Sequence, residues 1–235
     1  MRIIDKKTGK RIVDADTEIN KTLNREDPIK RNVDKDPELA EHSPMDPPEA
    51  YDGTAVEDVS YEQMDAVLQH YMDEHKLCIN KVERFETALI RFKENGYQLN
   101  EDINRKFSEF FQFFDQNIMD HNQREEKQLF PLLQERLMAS GEHGEGEDPK
   151  TAVDMMEDDH IKFIQLGALT FNILGLATRL PDERSRMLVY DVAFNNGLEL
   201  IELLRLHIYR EDKIVFPLAH KLIDKEAFTK LSNLG

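Results

Sequence analysis

Hydrophobic residues recur every three or four positions along four long stretches of the chain, beginning near residue 60. This spacing places them on one face of an α-helix. The four stripes run from Tyr61 to Phe92, from Ile103 to Leu129, from Val153 to Leu174 and from Tyr190 to Leu218. A short terminal helix is expected around Lys225 to Leu234. Because the region shows no strand-like alternation, the pattern predicts an all-α fold.

Residues that favour helix ends flank these stripes. Ser60 and Gln63 form a capping box, and Asn100 is an N-cap for the second helix. Asp148 followed by Pro149 predicts the start of the third helix. Pro131 and Pro217 each remove a backbone hydrogen bond, so each is expected to kink or end its helix.

Residues 1–58 differ from the rest of the chain. They hold five of the nine prolines, and their apolar residues follow no period. We therefore predict a Pro-rich, largely extended or disordered arm over residues 1–58 and a helical domain over residues 59–235.

The charge balance excludes several classes of partner. With 31 basic and 47 acidic residues the net charge is −16, which repels nucleic acid and anionic membrane surfaces. The chain has one cysteine, so it cannot form an internal disulfide, and it shows neither a signal peptide nor a long uncharged apolar run. These features predict a cytoplasmic protein with no nucleic-acid or membrane partner.

Six ionisable residues interrupt the apolar stripes. They are His75, His121, Glu125, His160, His207 and Glu211. One such histidine alone is usually a satisfied core residue, but six buried ionisable groups are costly unless they are paired or bound to metal. The H-x-x-x-E motif occurs twice with an offset of 207 − 121 = 86 residues, and the other two histidines are 160 − 75 = 85 residues apart. The two helical hairpins therefore read as copies of one unit.

The four-residue spacing in H-x-x-x-E places the imidazole and the carboxylate one helical turn apart on the same face. The full set offers four imidazoles, two carboxylates and no thiolate, which suits non-haem iron and is tolerable for manganese or zinc. Two metal ions bridged by Glu125 and Glu211 would use all six ligands.

This arrangement resembles the hemerythrin-like, or HHE cation-binding, domain over about residues 60–222. The E-[ED]-x-x-[LV]-F-P sequences that follow Glu125 and Glu211 are also typical of the family. The resemblance implies an antiparallel up-down-up-down four-helix bundle. It also implies an oxo- or hydroxo-bridged pair of iron ions that can react with dioxygen.

One departure from the family concerns the third helix. Oxygen-carrying hemerythrins have a second histidine four residues along it, whereas Met156 and Ile164 flank His160 here. Glu157 or Glu126 could supply a carboxylate instead, His70 could supply an imidazole, or water could fill the position. More open, oxygen-rich coordination favours reduction of dioxygen, peroxide or nitric oxide over reversible oxygen carriage.

Other residues near the ligands have simpler or weaker roles. Tyr71 and Tyr209 could hydrogen-bond a metal-bound oxygen species, and Arg124 and Arg210 are expected to pair with acidic neighbours at the surface. The sequence leaves two functions open. The protein could be an enzyme that works with a redox partner, or a module that senses iron or oxygen and reports to a protein partner. The arm over residues 1–58 suggests the second, because holding metal does not require such an extension.

Overall fold

A computed structural model describes residues 59–144 and 149–232 of the chain. The arm predicted over residues 1–58 and the cap predicted at Asp148 lie outside these residues. Within them the protein is entirely helical, as predicted, and contains no strand. A 3₁₀ turn, Tyr61–Gln63, is followed by five helices: α1, Ala66–Glu94; α2, 101–140; α3, Ala152–Ala177; α4, 183–222; and α5, Lys225–Ser232.

The helix starts differ from the predicted caps in two places. The Ser60 and Gln63 pair caps only the 3₁₀ turn, and α1 begins one turn later, where the Asp65 side chain accepts a hydrogen bond from the Val67 N–H. The third helix begins at Ala152 rather than at Pro149. Thr151 is its N-cap, because the Thr151 hydroxyl accepts from the Val153 N–H.

Both α2 and α4 contain π-helical turns. Those turns are Phe114–Ile118 and Glu125–Leu129 in α2, and Glu211–Val215 in α4. The last two end just before Phe-Pro, and in each the N–H of the phenylalanine donates five residues back, to the carbonyl of Glu125 or Glu211. A proline cannot donate to the carbonyl four residues earlier, and its ring crowds that carbonyl, which a wider turn relieves. The helices therefore do not end at the prolines but continue beyond them.

The helices form a bundle in which α3 packs along α4, and α1 packs against both α2 and α4. Buried apolar residues form two clusters. One is rich in phenylalanine and lies toward the turn between α1 and α2, while the other surrounds Phe130 and Phe216 near the start of α1. The six ionisable residues occupy the layer between these two clusters.

Helix α3 is long and apolar enough to cross a membrane by length and composition alone. Core helices of soluble proteins satisfy the same criterion. Here α3 packs along α4 and carries the fully buried His160, so one face of α3 contributes its apolar side chains to the bundle interior. Its other face leaves Ile161, Leu169 and Phe171 exposed.

Candidate metal centre

The structure brings all six predicted ligand residues together in the bundle core. Their donor atoms form two groups, and within each group the atoms lie within 4.8 Å of one another. The first group is His75, His121, Glu125 and Glu211, and the second is Glu125, His160, His207 and Glu211. Each group therefore has two imidazoles, and the two glutamates belong to both.

The donor atoms face one another at short range. The Nε2 atoms of His75 and His121 are 3.2 Å apart, and those of His160 and His207 are also 3.2 Å apart. The carboxylate oxygens of Glu125 and Glu211 lie 3.1 to 3.5 Å from these nitrogens. All six side chains are nearly or wholly inaccessible to solvent.

The two shared glutamates lack hydrogen-bond partners. None of the four carboxylate oxygens of Glu125 and Glu211 has one in the described part of the chain, although both residues are 0% exposed. A buried carboxylate that lacks well-formed hydrogen bonds is costly, since it loses its hydration and the facing imidazoles at 3.1 to 3.5 Å replace that hydration only in part. Coordination of cations by these oxygens would offset that cost.

A second layer of carboxylates holds the outer nitrogen of the imidazoles. The Nδ1 to oxygen distances are 2.8 Å from His75 to Asp212, 2.7 Å from His121 to Glu74, 2.8 Å from His160 to Glu126 and 3.9 Å from His207 to Asp159. Because a carboxylate accepts, His75, His121 and His160 each place a proton on Nδ1, and the lone pair of the neutral ring is then on Nε2. These hydrogen bonds thus fix the rings in the orientation that a metal ligand requires. At 3.9 Å from Asp159, the Nδ1 atom of His207 forms no hydrogen bond within the described residues.

These four carboxylates repeat with the ligands. Glu74 and Asp159 each precede a ligand histidine and are 159 − 74 = 85 residues apart. Glu126 and Asp212 each follow a shared glutamate and are 212 − 126 = 86 residues apart. Sequence reasoning did not assign them this role, although the duplicated pattern around each motif was the signal that could have found them.

The charges of the cluster compensate one another. Burial alone would lower the pKa of His75, but the carboxylates of Asp212 and Glu211 outweigh it and raise that pKa to about 10. Burial also opposes protonation of His121 and His207, yet Glu125 and Glu211 respectively raise their pKa values to about 9.

The pKa values of the shared carboxylates shift in the opposite direction. Burial favours the neutral acid, but the facing imidazoles hold the pKa of Glu211 well below its ordinary value and also lower that of Glu125. Without metal, protons on the imidazoles therefore balance the two carboxylates.

Two arginines support the second layer. Arg124 Nη2 donates to both carboxylate oxygens of Glu74, at 2.7 and 2.8 Å, and Arg210 Nη1 donates to Asp159 at 2.8 Å. Arg210 is only 8% exposed, so its pairing takes place in the interior rather than at the surface as expected.

The remaining predicted residues lie outside the two donor groups. Glu157 is exposed on α3, and Glu126 and His70 contact His160 and Glu74 respectively. Tyr71 is buried with its ring edge-on to His121, the centroids 5.2 Å apart, whereas Tyr209 is 60% exposed. The structure thus brings Tyr71, but not Tyr209, next to a ligand.

A cavity of about 120 Å³ lies beside the first donor group. His75, His121 and His207 contribute to its wall, together with the apolar side chains of Phe163, Leu204 and Ile208. Cys78 also lines it, but burial raises the pKa of its thiol to about 12 and the sulfur belongs to neither donor group.

The family model described as hemerythrin HHE cation binding domain matches residues 66–219. No curated protein and no solved structure matches the chain. The matched region includes all six residues of the two donor groups and more than half of the 235 residues. On the strength of that match, the chain belongs to the hemerythrin HHE cation-binding domain family.

Proposed function

We propose that the protein binds two iron ions through His75, His121, His160 and His207, with Glu125 and Glu211 as shared ligands. The proposal rests on one observation: two four-residue donor groups share two buried carboxylates whose oxygens have no hydrogen-bond partner in the described residues. The set contains only nitrogen and oxygen donors, which favours iron over metals that prefer thiolates. Manganese and zinc are the less favoured alternatives.

We further propose that this centre binds or reduces dioxygen, peroxide or nitric oxide. Bound iron supplies the electron-transfer chemistry that these small molecules require. The residues of the chain hold the ions, orient the imidazoles through the outer carboxylates, and exclude bulk water from the layer between the two apolar clusters. The cavity beside His75 and His121 has room for a molecule of a few atoms next to the first donor group.

The topology that fits these observations is an up-down-up-down bundle of α1 to α4. Only six residues separate α1 from α2, and only five separate α3 from α4, so each pair is an antiparallel hairpin. We also propose that residues 59–235 form the domain, to which residues 1–58 are appended, and that the protein is cytoplasmic.

Iron content and oxygen response test the function directly. The full chain is expressed with excess iron, purified reduced under argon and analysed for metal. We expect about two iron ions per chain and new near-ultraviolet and visible absorption when air is admitted. Fewer than about one iron per chain would contradict the proposal.

The variant Glu211→Gln tests the shared carboxylate. It keeps the side-chain shape but removes the charge common to both donor groups, so we expect iron content to fall to one ion per chain or fewer. Glu202→Gln, an exposed change on the same helix, is the control and should keep the wild-type iron content.

A further inference from the structure

The cavity beside the first donor group contains a polar group that the proposed function does not use. Asn122 follows the ligand His121 in α2 and lines this cavity together with Cys78 and Phe163. Its side chain is 4% exposed, and its Nδ2 atom has no hydrogen-bond partner within residues 59–144 and 149–232. A buried amide nitrogen that donates to nothing destabilises the fold.

Packing alone does not explain this amide. Apart from the histidines of the donor groups and Asn122, the buried residues of the cavity wall are apolar, as at Ile118, Phe163 and Leu204. The charged side chains that also line the cavity, those of Glu74, Asp120 and Arg124, are exposed or partly exposed. A leucine at residue 122 would have the same number of side-chain non-hydrogen atoms and the same branching, and would leave no donor without a partner. An asparagine at this position is explained if a bound ligand supplies the hydrogen-bond acceptor for its Nδ2 atom.

The volume of the cavity limits what that ligand is. An apolar cavity of about 150 Å³ holds benzene, so one of about 120 Å³ takes at most about six non-hydrogen atoms. Molecules of two to four atoms fit within this volume. An amide N–H further selects those that present a lone pair.

We propose that Asn122 is a specificity-determining residue, whose Nδ2 donates a hydrogen bond to a small acceptor-bearing molecule held in the cavity beside His75 and His121. The inference rests on the proposed function, since a metal held by that donor group would bind the other end of the ligand. It adds a residue that recognises such small molecules through a hydrogen bond.

Azide is a suitable probe, because it has three atoms and a lone pair at each end. It is titrated into the oxidised, iron-loaded full chain, and binding is followed by absorbance. We expect Asn122→Leu to weaken azide binding about tenfold, the effect of one net hydrogen bond, with no change in iron content. Thermal stability of the metal-free form should stay the same or rise, because a donor without a partner has been removed.

Asn104→Leu is the matched control. Asn104 is exposed on the same helix and does not line the cavity, so the same substitution there should leave azide affinity within about twofold of wild type. If Asn122→Leu lowers stability while azide binds as in wild type, Asn122 is structural and the inference is wrong. If the wild type holds no iron, the proposed function fails first, and that result is distinguishable because it does not depend on either variant.

Discussion

Each imidazole of the cluster lies between two carboxylates, one on its inner and one on its outer nitrogen. For His75 these are Glu211 and Asp212, which are consecutive in the sequence. In α-helices consecutive residues face different directions, yet a π turn starts at Glu211, and both side chains reach the same ring. The outer carboxylate therefore fixes the ring while the inner one stays available to metal.

Removing an outer carboxylate should weaken metal binding without touching a ligand. In Glu126→Ala, the His160 Nδ1 loses its acceptor at 2.8 Å, so the ring is less well oriented. We expect metal affinity to fall about 10- to 100-fold. Competition with a chelator of known affinity measures it.

Glu135→Ala is the control for that change. Glu135 is an exposed glutamate on the same helix, and its replacement should leave metal affinity unchanged. Equal affinities for the two variants would show that the outer carboxylate does not support the ligand.

At the level of helices, the amphipathic stripes predicted the four long elements, because apolar periodicity is a local property of the sequence. The H-x-x-x-E spacing is also local, and it placed the histidines and glutamates on the faces that meet in the core. The helix interiors were less predictable. Nothing in the local pattern indicated that α2 and α4 widen into π turns at Glu125 and Glu211, since that depends on how Pro131 and Pro217 are accommodated in the packed bundle. The outer carboxylates were missed for a similar reason, because they act on histidines of other helices.

Close helix packing also depends on glycine at one position of α3. A Cβ atom at Gly167 would lie 2.6 Å from the Phe114 ring, whereas one at Gly175 on the same helix would meet nothing within 4 Å. We expect Gly167→Ala to lower the free energy of unfolding by about 1 to 3 kcal/mol through overpacking. Gly175→Ala should raise it by up to about 1 kcal/mol through helix propensity. Urea denaturation of both variants measures the difference, and a stabilised Gly167→Ala would contradict this account.

The stability of the whole domain depends on whether protons or metal ions occupy the imidazole nitrogens in the layer between the two apolar clusters. Without metal, the raised pKa values of His75, His121 and His207 mean that the folded state holds protons that the unfolded chain releases above pH 6.5 or so. With metal, the same nitrogens are occupied and must be deprotonated. The two forms therefore respond to pH in opposite directions.

Stability of the metal-free protein should fall as the pH rises from about 6.5 through 10. In that range the folded state binds more protons than the unfolded state, so the free energy of unfolding decreases with pH. We expect a loss of at least about 1.4 kcal/mol between pH 7 and pH 9, the equivalent of one pKa unit on one imidazole. Chemical denaturation followed by circular dichroism measures it.

The iron-loaded protein provides the comparison. Its stability should instead decline on acidification below about pH 6.5, as protons compete with metal for the imidazoles. Metal-free stability that stays level or rises between pH 7 and pH 9 would rule out protonated histidines as the balancing charges.

The second layer of carboxylates also connects the two copies of the repeat. Glu126 of the first hairpin holds His160 of the second, and Asp212 of the second holds His75 of the first. Neither hairpin alone can complete either donor group, since each group draws on both. The contacts have the reciprocity of a two-fold symmetric homodimer interface, here formed within one chain. Two halves joined in one chain can diverge independently, whereas identical subunits keep the same sequence in both halves.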